Sequence, residues 1–122
     1  MNGNLLIDTN IVLYLFDGDK SIAEFINNRD IYISFISELE LLGFKNLNNK
    51  EKTIIKEFLN NCIIVDINQN IKVITIELRQ NYKIKLPDAI IAATSYYLNM
   101  PFFSADKEFE KIEELQFIKY EV

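Results

Sequence analysis

The sequence predicts an α/β fold, a three-layer α/β/α sandwich with a mainly parallel central sheet of about five strands. Short apolar runs alternate with segments of helical periodicity along the whole chain, the arrangement that buries a parallel sheet under helices on both faces. Hydrophobic residues make up 49% of the 122 residues, and twenty of them are Ile, enough for a core of ordinary domain size. No linker, repeat or low-complexity block interrupts the alternation, so residues 1–122 are expected to form one domain.

Each element follows from its local pattern. Leu5 to Ile7 reads as a short buried strand, followed by a helix from about Asn10 to Phe16 that Asp17-Gly18-Asp19 breaks. Ser21 and Glu24 have capping-box spacing and open a helix to about Asn28. Ile31 to Ser34 is the second strand, and Ser34 caps a helix reaching Leu42, with Gly43 as its stop. After a turn at residues 46–49, Lys50 to Asn61 forms an amphipathic helix with Ile54, Ile55, Phe58 and Leu59 on one face. Ile63 to Val65 is the third strand, and the helix over Asn68 to Tyr82 spaces Ile71, Ile74, Leu78 and Tyr82 for burial. Leu86-Pro87-Asp88 opens a strongly apolar helix to Leu98, with Pro87 suited to the first helical position and Asp88 to the second. Phe102 to Ser104 is the fourth strand, Asp106 to Ile112 a short helix, and Phe117 to Tyr120 the last strand.

Absent residues exclude much chemistry. The chain has no His, which removes Ser-His-Asp and Cys-His machinery and His-ligated zinc. Its three glycines cannot build a phosphate-cradling loop. The single Cys62 forms no internal disulfide, the apolar run from Ala89 to Leu98 is too short for a membrane span, and the N-terminus lacks the basic region of a signal peptide. These features lead us to expect a cytoplasmic protein with no membrane partner.

Four acids fall where such a fold would gather them. Asp8 closes the first strand, Glu40 lies one turn into the helix after the second, Asp88 follows Pro87 at a helix start, and Asp106 follows the fourth strand. Strand carboxyl ends and the N-termini of the intervening helices share one sheet edge, where ligands of open α/β sheets bind. Carboxylates crowded there repel one another unless a cation intervenes, and an all-oxygen donor set suits Mg²⁺ or Mn²⁺. Each acid also has a structural reading. Asp8 or Thr9 could simply cap a helix, Ser37 and Glu40 have capping-box spacing, Asp88 favours a helix dipole, and Asp106 could cap the short helix. Glu38 lies about 200° around the helix from Glu40 at 3.6 residues per turn, so it is expected to face solvent. Ser104 stands where its hydroxyl could orient Asp106, and Glu108 is expected at the surface.

Taken together, Asp8-Thr9-Asn10, Glu40-Leu41-Leu42-Gly43, Asp88-Ala89-Ile90-Ile91-Ala92 and Ser104-Ala105-Asp106-Lys107-Glu108-Phe109 resemble, in order and spacing, the PIN-domain ribonucleases of the VapC toxin type. The resemblance spans nearly the whole chain. It implies a PIN-like fold and metal-dependent hydrolysis of RNA phosphodiesters, with Asp8, Asp88 and Asp106 holding Mg²⁺ or Mn²⁺ and Glu40 completing the site or positioning water. It also implies the toxin role in a toxin–antitoxin pair, a homodimer, and a cognate antitoxin that lays an apolar segment along a groove. Leu13, Leu15, Phe16, Leu42, Phe44, Ile54 and Phe58 are apolar residues a chain of this size would not cover fully, and so are candidates for such surfaces. Lys107, Tyr14 and Tyr32 are candidates for RNA contact.

Two departures stand out: Ser104 replaces the commoner Thr, and Glu108 stands where a second Asp or a His is frequent. The net charge of −5 also lacks the basic surplus usual for nucleic-acid binders. Setting aside the four proposed ligands leaves 14 acids against 13 bases, close to neutral.

Two alternatives remain open from sequence. An Asp-based phosphotransfer domain would want a second Asp two residues after Asp8, where Asn10 stands, or paired acids early in the chain. A non-catalytic interaction module would keep the fold without needing four intact carboxylates.

Overall fold

Side chains alternate across the strands and so decide the layers. In the computed structural model, which describes residues 3–121, Leu5, Ile7, Ile33 and Phe103 point to one face of the sheet and Leu6 and Phe102 to the other. The elements run β1 (Asn4–Ile7), α1 (Thr9–Phe16), α2 (Lys20–Ile26), β2 (Asp30–Ser34), α3 (Phe35–Leu42), α4 (Asn49–Asn60), β3 (Ile63–Val65), α5 (Gln69–Asn81), α6 (Leu86–Leu98), β4 (Phe102–Ser104), a 3-10 helix over Lys107–Lys111, and β5 (Phe117–Lys119). The five strands form one sheet in the order β3-β2-β1-β4-β5, every pairing parallel. The predicted α/β/α sandwich is therefore the observed fold.

Helices α1 to α4 supply Ile11, Val12, Ile22, Leu41, Ile55 and Leu59 to the core on one face. On the other, α5 and α6 supply Ile71, Leu78, Ile91, Ala92 and Ala93, with Phe109 and Ile112 from the 3-10 segment. Ala89, Ala92 and Ala93 are fully buried, so α6 approaches its neighbours closely and packs along α5 and against β2. Among the described residues, no helix is long and apolar enough to cross a membrane.

Several local expectations are corrected. Ser21 and Glu24 do not form a capping box; Asp19 caps α2 by accepting from the Ile22 N–H at 3.0 Å. Asn48 with Glu51 makes a capping box at α4 instead. α6 starts one residue early, at Leu86, making Pro87 and Asp88 its second and third residues. The segment after Asp106 is a 3-10 helix. Ile54 leaves the buried face of α4 and is exposed, while Ile55 and Leu59 are buried. Gly43 ends α3 without left-handed backbone. It is needed because a Cβ there would meet the Leu39 carbonyl oxygen at 2.7 Å.

Candidate active site

The strand order reverses direction about β1, with β2 and β3 on one side and β4 and β5 on the other. That reversal opens a crevice at the carboxyl ends of β1 and β4. Asp8 follows β1 directly, and Asp106 lies two residues beyond β4. α3 leaves the same edge from β2 and carries Glu40. α6 leads back to the start of β4, so its first turn, with Asp88, also lies at that edge.

Asp8 is 7% exposed. Its Oδ1 accepts from the Thr9 N–H at 2.8 Å, and its Oδ2 accepts from the Ser104 hydroxyl at 2.7 Å. Ser104, fully buried, also accepts from the Asp106 N–H at 3.0 Å and from the Asn10 amide at 3.5 Å. The Asn10 side-chain Oδ1 accepts from the Ala105 N–H at 3.3 Å. Ser104 thus holds Asp106 by a hydrogen bond, as the sequence suggested, through the Asp106 backbone, and it also fixes the Asp8 carboxylate. The Asp106 carboxylate instead accepts from the Glu108 N–H at 2.9 Å, which is the capping role anticipated for it.

Glu40 is tied in through Thr9. The Thr9 Oγ1 lies 2.7 Å from Glu40 Oε1 and 2.8 Å from Ser37 Oγ. Its one proton goes to the carboxylate, which leaves the oxygen to accept from Ser37. Sequence reasoning missed this Thr9–Ser37–Glu40 link. The signal was present, because Ser37 and Glu40 are three residues apart and share a helix face.

Electrostatics couple the acids. Burial pushes the Asp8 carboxyl up to about 6 from its ordinary 3.8; the Ser104 and Thr9 hydrogen bonds oppose this, and the charges of Asp88 and Glu40 add to it. Asp88, half-buried, is also raised, first by desolvation and then by Asp106 and Glu40, with Lys85 opposing. The Glu40, Asp88 and Asp106 carboxylates therefore all bear on this one edge.

Among the described residues, no group of three or more His, Cys, Asp or Glu side chains stands close enough to enclose an ion. Asp8 has both oxygens engaged by Thr9 and Ser104. The donor chemistry nonetheless fits a hard divalent cation: all donors are carboxylate oxygens, and their mutual repulsion is the penalty a cation would relieve.

The other sequence candidates divide. Lys107 is exposed beside Asp106. Tyr32 packs against the core that includes Leu6 and Ile91, and the Tyr14 ring packs on Tyr120 at 5.9 Å, so each ring is engaged within the fold. Arg79, Lys83 and Lys85 were not anticipated; with Ile84, Asp88, Asp106 and Glu108 they line a cleft of about 360 Å³.

An open parallel sheet with acids converging from four elements at its switch point defines a class of α/β domains that present carboxylates at the strand carboxyl edge. Residues 5–115 match the PIN domain family. The structure is similar to a chain of a toxin-antitoxin complex from Klebsiella pneumoniae, 30% identical, with a TM-score of 0.83 over 97% of this chain and 99% of that one. It is also similar to a chain of VapBC-1 from nontypeable Haemophilus influenzae, 26% identical, with a TM-score of 0.84 over 95% of this chain and 97% of that one. A chain of VapBC2 from Rickettsia felis, bound to a DNA fragment from its promoter, shares the fold at 20% identity, with a TM-score of 0.85 over 97% of this chain and 99% of that one. A search of curated proteins found no match. The chain belongs to the PIN domain family, and its structure is VapC-like.

Proposed function

We propose that the protein is a Mg²⁺- or Mn²⁺-dependent endoribonuclease and the toxin of a toxin–antitoxin pair. The observation that carries the nuclease reading is the convergence of Asp8, Glu40, Asp88 and Asp106 from four separate elements on the β1–β4 crevice, with Asp8 and Asp88 raised partly by their acidic neighbours. PIN domains are generally nucleases, which supports the same reading.

In this reading Asp8, Asp88 and Asp106 hold the cation, and Glu40 completes the site or orients water. When bound, the cation would supply a water of lowered pKa and neutralise charge on the scissile phosphate. The chain's own residues set the stage. Ser104 and the Thr9 N–H hold Asp8, and Thr9 with Ser37 fixes Glu40. Single-stranded or looped RNA suits the open edge, because its backbone can be splayed into a groove. A nucleophilic role for Asp8 is disfavoured, because the residue is buried and both its oxygens accept hydrogen bonds.

The partner reading rests on the toxin-antitoxin complexes among the similar structures and on an apolar groove of about 550 Å³. Leu13, Phe16, Phe44, Leu47 and Ile54 line it, with Asp17 and Glu51 also on its walls. An antitoxin segment with an apolar face and basic flanks fits that chemistry. A second apolar surface, with Val73, Tyr96 and Tyr97 exposed, lies on the α5–α6 side of the sheet and suits a second copy of the chain.

The nuclease reading is tested by incubating the purified protein with single-stranded RNA. Cleavage is expected with Mn²⁺ or Mg²⁺, none in EDTA, and at least a hundredfold less for Asp88→Asn, an order of magnitude typical for lost transition-state charge stabilisation. Equal cleavage in EDTA, or by Asp88→Asn, would contradict it.

A further inference from the structure

A chain of net charge −5 with acids at its catalytic edge repels a polyanion unless positive charge is set locally against the backbone. The α5–α6 connection supplies that charge. Arg79 in the last turn of α5, with Lys83 and Lys85 in the connection, lines the same cleft as Asp88 and Asp106. All three cations are exposed. Among the described residues, none of the three forms an ion pair within 4.0 Å; the ion pairs present join Lys119 to Glu110 and Glu121.

The connection is also held in place. The Tyr82 hydroxyl donates to Glu114 at 2.7 Å, and the Lys111 ammonium donates to the Lys83 carbonyl oxygen. Lys85 is partly committed to Asp88, whose carboxyl it pulls down.

We propose that Arg79 and Lys83, assisted by Lys85, grip the phosphates of single-stranded RNA next to the bond presented to Asp88 and Asp106. This rests on the nuclease reading and adds to it the wall along which the substrate backbone runs. Phosphate contacts of this kind position a strand without reading its sequence. Three of the chain's 13 bases thus line one cleft together with Asp88, Asp106 and Glu108.

The test is binding of a short fluorescein-labelled single-stranded RNA by anisotropy, in EDTA, over a series of KCl concentrations. The Arg79→Gln/Lys83→Gln variant should bind several-fold more weakly at every salt, equally for different base compositions. The slope of log affinity against log salt should fall by about 1.4, from ~0.7 for each single-strand phosphate contact. Lys52→Gln/Lys56→Gln removes the same charge from exposed positions on α4, on the other face of the sheet, and should change the slope far less. Equal slopes for both variants, an unchanged slope for the cleft variant, or no RNA binding by the wild type would each overturn the proposal. Metal-dependent cleavage by the wild type reports on the nuclease reading separately: a lowered slope without cleavage would keep the RNA wall and remove the catalysis.

Discussion

At the scale of single residues, Asp8 concentrates the physics of the site. Its folded-state carboxyl sits at about 6 against an ordinary 3.8, so the folded protein binds this proton more tightly than the unfolded chain. Stability should therefore be lost as pH rises from about 4 to about 6, by on the order of 3 kcal/mol if no cation is present. Denaturant melts in EDTA should show higher stability at pH 5 than at pH 7, and Asp8→Asn should flatten that difference. The Ser104 hydroxyl opposes the shift. Ser104→Ala would leave a buried carboxylate oxygen without its donor and cost ~1–3 kcal/mol at neutral pH. Ser104→Thr keeps the hydroxyl and should retain most of that stability in the same melts. Asp8 itself was legible in the sequence as the acid closing an apolar run at a strand end, with a plain helix cap as the competing reading, and it does cap α1. Its clasp by Ser104 was not, because 96 residues separate the partners.

At the scale of elements, the register of α3 decides which acid meets Thr9 at the β1–β4 edge. Glu40 accepts the Thr9 proton, and its charge raises both Asp8 and Asp88. Glu38, expected to face solvent, is only partly exposed, whereas Glu40 is exposed; the two lie about 200° apart around the helix. Glu40→Gln should lose most RNA cleavage, whereas Glu38→Gln should stay within a few-fold of wild type; equal losses would show a different register. The periodicity that predicted this register also placed every strand to within a residue or so, since buried parallel strands leave short apolar runs between helix signals. Caps were less legible where two candidates compete. Asp19 and Ser21 both precede an apolar turn, and Asp19 wins while also accepting a hydrogen bond from Tyr120, 101 residues away. The cationic wall had the same obstacle. Arg79, Lys83 and Lys85 look like ordinary surface charges until the fold sets them across from Asp88 and Asp106.

At the scale of the whole molecule, apolar surface remains on both sides of the sheet. Of the seven residues singled out in the sequence, Leu13, Leu42, Phe44 and Ile54 are exposed, while Leu15, Phe16 and Phe58 pack against the core. Contiguous exposed apolar surface marks association, so light scattering at tens of micromolar should report a dimer, with a monomer contradicting the second-copy surface. The central claim, however, is the proposed divalent-cation site, with Asp8, Asp88 and Asp106 holding the ion and Glu40 completing the site or orienting water. Titration of the metal-free protein with Mn²⁺ by calorimetry tests it most directly. Wild type should bind with measurable affinity, and Asp8→Asn and Asp106→Asn should each bind at least tenfold more weakly while melting cooperatively, the order of loss expected when a ligand carboxylate becomes an amide. Mn²⁺ affinity unchanged in both variants would contradict the account.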